Sequence, residues 1–395
     1  MIETKQQPTT KHTEPSGLLA RDRGDASPSG RWLAHPKDIH SVIFHLLCLA
    51  AYGIAFWLWK HPELARIEGP WSAAAFVAAA AIMLGWISGV DVGVNFHNHT
   101  HRRIFRKAWM NRWFSRIWTV NGGWPAFFWE YSHVTVHHAH VLSQRDWTLP
   151  VRKADGTWEN YYRYCLLHWP WRYAVHFVKD FQKASRRIRR KAVTELAVFS
   201  VLWSIPFLID PVMALLLWVL PQWIANAAVM GPGMYAQHAG RDEPDHEHEF
   251  RHSNCFVSRF FNATMFNIGY HALHHTYPWV HWSDLPELHE QMRERLIEDG
   301  AHVVPFGYYR GGMLLAAEAR NNQKASATFH AQHPDYLRPE DRLAEEKTAP
   351  EAVPDRRDLP HPREAADPNE RPSEERYPGT IGVQPHPSFT MGGRT

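Results

Sequence analysis

Four apolar runs interrupt an otherwise polar chain. They occupy about 41–59 (SVIFHLLCLAAYGIAFWLW), 71–90 (WSAAAFVAAAAIMLGWISGV), 192–209 (AVTELAVFSVLWSIPFLI) and 211–230 (PVMALLLWVLPQWIANAAVM). A helix rises about 1.5 Å per residue, so ~20 apolar residues cross a hydrocarbon core of about 30 Å. The second and fourth runs hold no Asp, Glu, Lys or Arg; the third holds Glu195 near its start. Lipid offers no partner to backbone N–H and C=O groups, so spans of this kind are helices. The first two are joined by the short stretch KHPELARIEGP, and the last two meet at Asp210-Pro211, where proline cannot continue a helix. The pattern predicts an all-α integral membrane protein with four transmembrane helices arranged as two hairpins. The long polar regions and both termini then fall on one side, where they form a helical cap.

Charge orients this arrangement. Arg102, Arg103, Arg106, Lys107 and Arg112 follow the second run, and Arg186, Arg187, Arg189, Arg190 and Lys191 precede the third. The positive-inside rule puts these segments, and with them both termini, in the cytosol. Between them, WMNRWFSRIW and HWPWRYAVHFVKDF mix aromatic and basic residues and are expected to lie at the membrane interface. Mean hydropathy is only −0.42 because both ends are polar. Residues 1–37 and 319–395, rich in Pro, Ser, Glu, Arg and Asp, are expected to be disordered tails around a membrane domain at 38–318.

Composition adds three points. A formal charge of +3 over 395 residues gives no electrostatic case for nucleic acid. Cys48, Cys165 and Cys255 are isolated, so neither a disulfide framework nor a CxxC metal knuckle is expected. Histidine is abundant, at 28 residues, and much of it is clustered just outside the apolar runs. HNHTH places His97 and His101 four apart on one helix face, with His99 turned away. SHVTVHHAH carries His133, His137 and His138 at i, i+4 and i+5, followed by His140. HALHH carries His271, His274 and His275 at i, i+3 and i+4, and His238 follows the fourth run. Neutral imidazole binds first-row metals well. These nine candidate ligands exceed the roughly four that a tetrahedral zinc takes, so two metals are expected.

The boxes HxxxH (His97, His101), HxxxHH (His133, His137, His138) and HxxHH (His271, His274, His275), with WEYSH and SRFFNATMFNIGYHALHHTYPWVHWSDLPELH, resemble the membrane fatty-acid desaturase and hydroxylase family over about 38–310. The resemblance implies a non-haem centre of two Fe ions held by the boxes and His238, with O2 as co-substrate. It further implies a membrane lipid or acyl substrate. Desaturation to a C=C bond is the first reading; lipid hydroxylation and alkene-forming decarboxylation are the alternatives. The chain carries no HPGG haem motif, no paired CxxC and no GxGxxG. A separate electron donor is therefore expected: a ferredoxin, a rubredoxin, or a cytochrome b5-like protein with its reductase. His99, His140, Asn267 and Asp91 are candidates to support the ligands, as are Glu130, Asp146 and Asp284, since carboxylates commonly orient metal-bound imidazoles.

Two readings compete. His248-Glu249-Phe250-Arg251-His252 fits the HExxH pattern of zinc proteases, which needs a helix to bring its histidines together. Its surroundings are charged throughout and give that helix no apolar face. A non-enzymatic metal-binding membrane protein is the other, although transporters place ligands near the bilayer midplane and these histidines lie outside the apolar runs.

Overall fold

The computed structural model describes residues 32–143, 145–151, 159–241, 248–305 and 307–308. The expected tails lie largely outside these residues. The described chain is mostly helical and contains four helices long and apolar enough to cross a membrane. They are α1 (Asp38–Lys60), α2 (Pro70–His101), α6 (Arg186–Ile209) and α7 (Pro211–His238). Between them lie α3 (Ala108–Val120), α4 (Ala126–Glu130), which runs on into a π-helical turn Tyr131–His138, and α5, which runs through Tyr161–Arg163, Tyr164–Arg172 and Tyr173–Lys183. After α7 come β1 (Asn254–Phe256), α8 (Arg259–Thr264), α9 (His271–Thr276), α10 (Leu285–Gln291), α11 (Arg293–Glu298) and β2 (His302–Val304).

The two short strands pair in parallel, Asn254 opposite His302, and are the departure from an all-α expectation among the described residues. Three-residue strands have no room for the alternation by which strands are recognised. A side-chain bond between His302 Nδ1 and Asn254 Oδ1 (2.6 Å) fastens them.

Two of the long helices outrun the apolar stretches that announced them. α2 continues through a π-helical segment, Asp91–Phe96, into His97–His101. α7 continues through π-helical turns to His238. The first box and His238 thus ride on rigid extensions of apolar helices. Hydrophobicity alone ends these helices early because the residues that continue them are polar but buried.

Close packing of α2 against α7 depends on small residues. A Cβ on Gly85 would lie 2.6 Å from Ile224 Cγ2, and one on Gly89 would lie 2.5 Å from Val229 Cβ. Gly93 repeats the pattern against Met230. Residues four apart share a helix face, so these glycines form one smooth stripe on which α7 sits.

At the far end of the bundle, Asp210 accepts from the backbone N–H groups of Val212 and Met213 (3.0 Å each), capping α7. The same carboxylate pairs with Lys60 Nζ at 2.5 Å and accepts from Trp59 Nε1 at 3.2 Å. The end of α1 is thereby fastened to the junction of α6 and α7. Leu46, Leu47, Ile54, Met83, Val201 and Leu208 point outward and are well exposed. Apolar side chains spread over several long helices in this way suit a lipid surround, because water disfavours so large an apolar surface.

Candidate metal centre

Four elements converge at one end of the helices. α2 supplies His97 and His101, the π-helical turn after α4 supplies His133, His137 and His138, α7 supplies His238, and α9 supplies His271, His274 and His275. π-helical turns inside α-helices are rare and concentrate at functional sites. Here one precedes the first box and another carries the second. α9 is set by the turn before it. Phe266 and Asn267 adopt left-handed backbone conformations (φ 44° and 58°), and Gly269 packs so tightly that a Cβ there would lie 2.2 Å from the carbonyl oxygen of Phe256. No larger residue fits at 269 without moving that strand.

The nine imidazoles form two adjoining groups. His97, His101, His133, His138 and His274 make the first, and His137, His238, His271 and His275 the second. Within each group the ligating nitrogens all lie within 4.8 Å of one another. The rings face each other through Nε2: His97 and His274 are 2.7 Å apart, His101 and His133 2.8 Å, His238 and His271 3.0 Å, and His271 and His275 3.1 Å. His137 Nε2 approaches His275 Nε2 at 3.2 Å, and the rings of His138 and His275 stack at 4.0 Å. The first of these contacts lies within the second group, and the stacked pair crosses between the two.

The proton positions identify what this geometry suits. His137 Nδ1 lies 2.9 Å from Asp146 Oδ2, and His238 Nδ1 lies 3.1 Å from the carbonyl of His252. Both acceptors require a proton on Nδ1, which leaves Nε2 of each ring as a bare lone pair pointing into the second group. His271 Nδ1 and His138 Nε2 are buried with no hydrogen-bond partner. Lone pairs facing lone pairs in a buried space repel unless a cation lies between them, so the donor set fits transition-metal binding. Burial, then neighbouring imidazoles, pushes the pKa of His133, His138, His271 and His275 well below the usual histidine value. Burial and His137 push His274 down to about 3. The rings therefore stay neutral at ordinary pH, as ligation requires.

The family model for fatty acid desaturases matches residues 69–307, more than half of the chain. The chain belongs to the fatty acid desaturase family. This membership makes it a membrane oxidoreductase, in keeping with its four long apolar helices. None of the curated proteins compared with this desaturase-family chain matches it.

The expected supporting residues separate. Asp146 meets a candidate ligand directly, through His137, and is itself held by the Thr148 hydroxyl (2.5 Å) and backbone N–H (3.0 Å). His99 is buried but faces α3: its Nε2 pairs with Ser115 Oγ at 3.1 Å, and its ring lies 5.5 Å from Trp118. His140 is half-buried and belongs to neither group. Asn267 donates from Nδ2 to the Trp282 carbonyl (3.0 Å), a packing role in the turn before α9. Asp91 pairs with His45 (2.7 Å) and accepts from Asn121 (3.2 Å), so it supports a network between α1 and α2 rather than a candidate ligand. Glu130 pairs with Arg103 (3.0 Å), and Asp284 accepts from Ser283 Oγ (2.9 Å).

His248–His252 is not helical; it forms bends and turns. Glu249 pairs with Arg295, and its N–H donates to Asp299 Oδ1 at 2.8 Å. The zinc-protease arrangement is absent from this segment. Its contribution to the centre is the His252 carbonyl that holds His238, and a backbone acceptor leaves no mark in the sequence. His45 was also missed, although an ionisable residue inside an apolar run is itself a signal.

Proposed function

We propose that this chain is an O2-dependent di-iron oxidoreductase that introduces a C=C bond into a fatty acyl chain or lipid. The observation that carries the reading is the pair of abutting imidazole groups, five and four rings, assembled from four separate elements. In this reading His97, His101, His133, His138 and His274 hold one iron, and His137, His238, His271 and His275 hold the other. When bound, such a pair of irons supplies the activation of O2 that cleavage of an unactivated C–H bond requires.

The protein's own part is to hold nine imidazoles in place, exclude bulk water and fix which carbon lies against the centre. A narrow, mainly apolar cavity lined by Trp129, His133, His137, Tyr173 and Met234 touches both groups, and in this reading the acyl chain reaches the centre along it. Desaturation and hydroxylation begin with the same C–H cleavage, and the position of the chain in this cavity decides between them.

The membrane arrangement we propose has α1 with α2 and α6 with α7 as two hairpins, the boxes and both termini being cytosolic. Its support is the Lys60–Asp210 pair, which joins the two connections at one end, and the basic residues at the other. Electrons come from a separate ferredoxin, rubredoxin or cytochrome b5-like donor.

Mass spectrometry of lipids from cells expressing the chain, against cells expressing His274→Ala, tests the activity. A product lighter by two hydrogens, absent with the variant, is expected. A product heavier by one oxygen makes the enzyme a hydroxylase, and unchanged lipids in both strains contradict the reading.

A further inference from the structure

A second, narrow cavity borders the five-ring group. Its wall includes His101 and His274 of the five-ring group, together with Asn98, Arg102, Asp38 and His281. Asp38 and His281 are each 2% exposed and bonded to each other, His281 Nε2 to Asp38 Oδ1 at 3.1 Å. Where the cavity beside Trp129 and Tyr173 is mainly apolar, this one carries a carboxylate–imidazole pair.

We propose that Asp38 and His281 form a proton-delivery pair that carries solvent protons through this cavity to the five-imidazole group. The inference rests on the O2-dependent function proposed above, and it holds for either outcome of the C–H cleavage. Desaturation converts –CH2–CH2–, O2, two electrons and two protons into –CH=CH– and two waters. Hydroxylation converts C–H, O2, two electrons and two protons into C–OH and one water. In both, the electrons come from the one-electron donor and the protons from solvent, and a buried centre needs a route for them.

The hydrogen bonds give that route a direction. The Ser283 N–H donates to His281 Nδ1 at 3.2 Å, so the neutral ring keeps its proton on Nε2 and donates it to Asp38. Ser283 Oγ also reaches Nδ1, at 2.8 Å. With Nδ1 held by the Ser283 N–H, His281 stays in its Nε2–H form and orients the Asp38 carboxylate, which takes up a proton arriving from solvent and releases it toward the centre. From the carboxylate the proton passes to a single water, for which this narrow polar cavity has room. The groups facing Asp38 are His281, His35, whose N–H donates to Oδ2 at 2.9 Å, and Arg102.

Two simpler roles account for less. His35, His281 and Asp284 are near enough to suggest a third metal site. However, His281 Nδ1 already accepts from Ser283 N–H, and His35 Nδ1 accepts from Lys37 N–H at 3.3 Å. A mere tether between the start of α1 and the segment after α9 needs no titratable partner. The chain also joins elements with a buried histidine–carboxylate pair, His45 and Asp91 at 2.7 Å, and what sets Asp38 and His281 apart is that they line a cavity whose wall includes His101 and His274.

The test compares purified wild type with Asp38→Asn, Asp38→Glu and His281→Gln. Readouts are iron content, product per O2 consumed, the solvent deuterium isotope effect, and infrared difference spectra between neutral and acidic pH. Asp38→Asn is expected to keep its iron, slow product formation at least tenfold, enlarge the solvent isotope effect and remove a carboxylic C=O band present in wild type. Asp38→Glu is expected to recover part of the rate. Wild-type rate and isotope effect in iron-replete Asp38→Asn overturn the proposal, as does the lack of an Asp38 band in wild type across the working pH range. If Asp38→Asn loses iron, His281→Gln decides: slowed turnover with iron retained supports the relay, and wild-type turnover overturns it. A wild type that neither consumes O2 nor forms product overturns the function and the relay together, whereas an active wild type with indifferent variants overturns the relay alone.

Discussion

His137 gives its Nδ1 proton to Asp146 across 2.9 Å, and both side chains are fully buried. The carboxylate fixes the tautomer and turns Nε2 toward the second imidazole group, the arrangement by which proteins raise the basicity of a ligating ring. Asp146→Asn is therefore expected to weaken metal retention about 10–100-fold. Chelator competition on the purified variant measures it, and retention equal to wild type contradicts this role for Asp146.

Histidines inside one box are expected to behave differently. His101→Ala removes a ring from the five-membered group, whereas His99→Ala removes one that bonds Ser115 on α3. The first should lose metal and product while remaining in the membrane. The second should keep its metal and unfold more easily, by roughly 1–3 kcal/mol, since Ser115 is left without this buried partner. Metal content and thermal unfolding of the two variants, measured side by side, separate these outcomes.

That distinction was legible in the sequence, because residues two apart on a helix cannot face the same way. Eight of the nine candidate ligands could be named from spacing, and His238 from its place just after the fourth apolar run and the resemblance; all nine meet. The division into five and four could not be named, since it mixes boxes: His137 and His138 are neighbours in the chain but enter different groups. A π-helical turn changes the angle between successive side chains, and no residue type encodes that turn. Asp146 was one carboxylate among several candidates, and only the folded chain separates it from Asp91, whose partner proves to be His45. The apolar runs announced the four long helices, yet their polar extensions to His101 and His238 depend on burial by the rest of the chain.

The metal-free protein should be acid-sensitive. Burial and neighbouring rings lower the pKa of His133, His138, His271 and His275, and His274 falls to about 3. The unfolded chain titrates near the ordinary value of about 6.5, so below that pH it binds protons that the folded chain refuses. The stability these rings contribute is complete above about pH 6.5 and falls as pH drops toward the folded values, by about 1.4 kcal/mol per pH unit for each ring. Thermal unfolding of chelator-treated protein from neutral to acid pH measures the slope. A flat profile contradicts the buried, neutral state of the rings.

Gly89 tests the seam that holds the first box against His238. A methyl group there meets Val229, with Cβ–Cβ at 2.5 Å. Gly89→Ala is expected to destabilise the protein by about 1–3 kcal/mol, as overpacking does. Gly53→Ala, where nothing lies within 4 Å, should be tolerated. Unfolding in detergent compares them, and equal stability would mean that α2 and α7 do not pack as closely as described.

The most direct test of the account is the metal content of freshly purified protein, read together with X-ray absorption at the iron edge. Two irons per chain with a first shell of imidazole nitrogens are predicted, falling in His101→Ala and in His271→Ala. Zinc alone, or a single metal shared among the nine histidines, would contradict it.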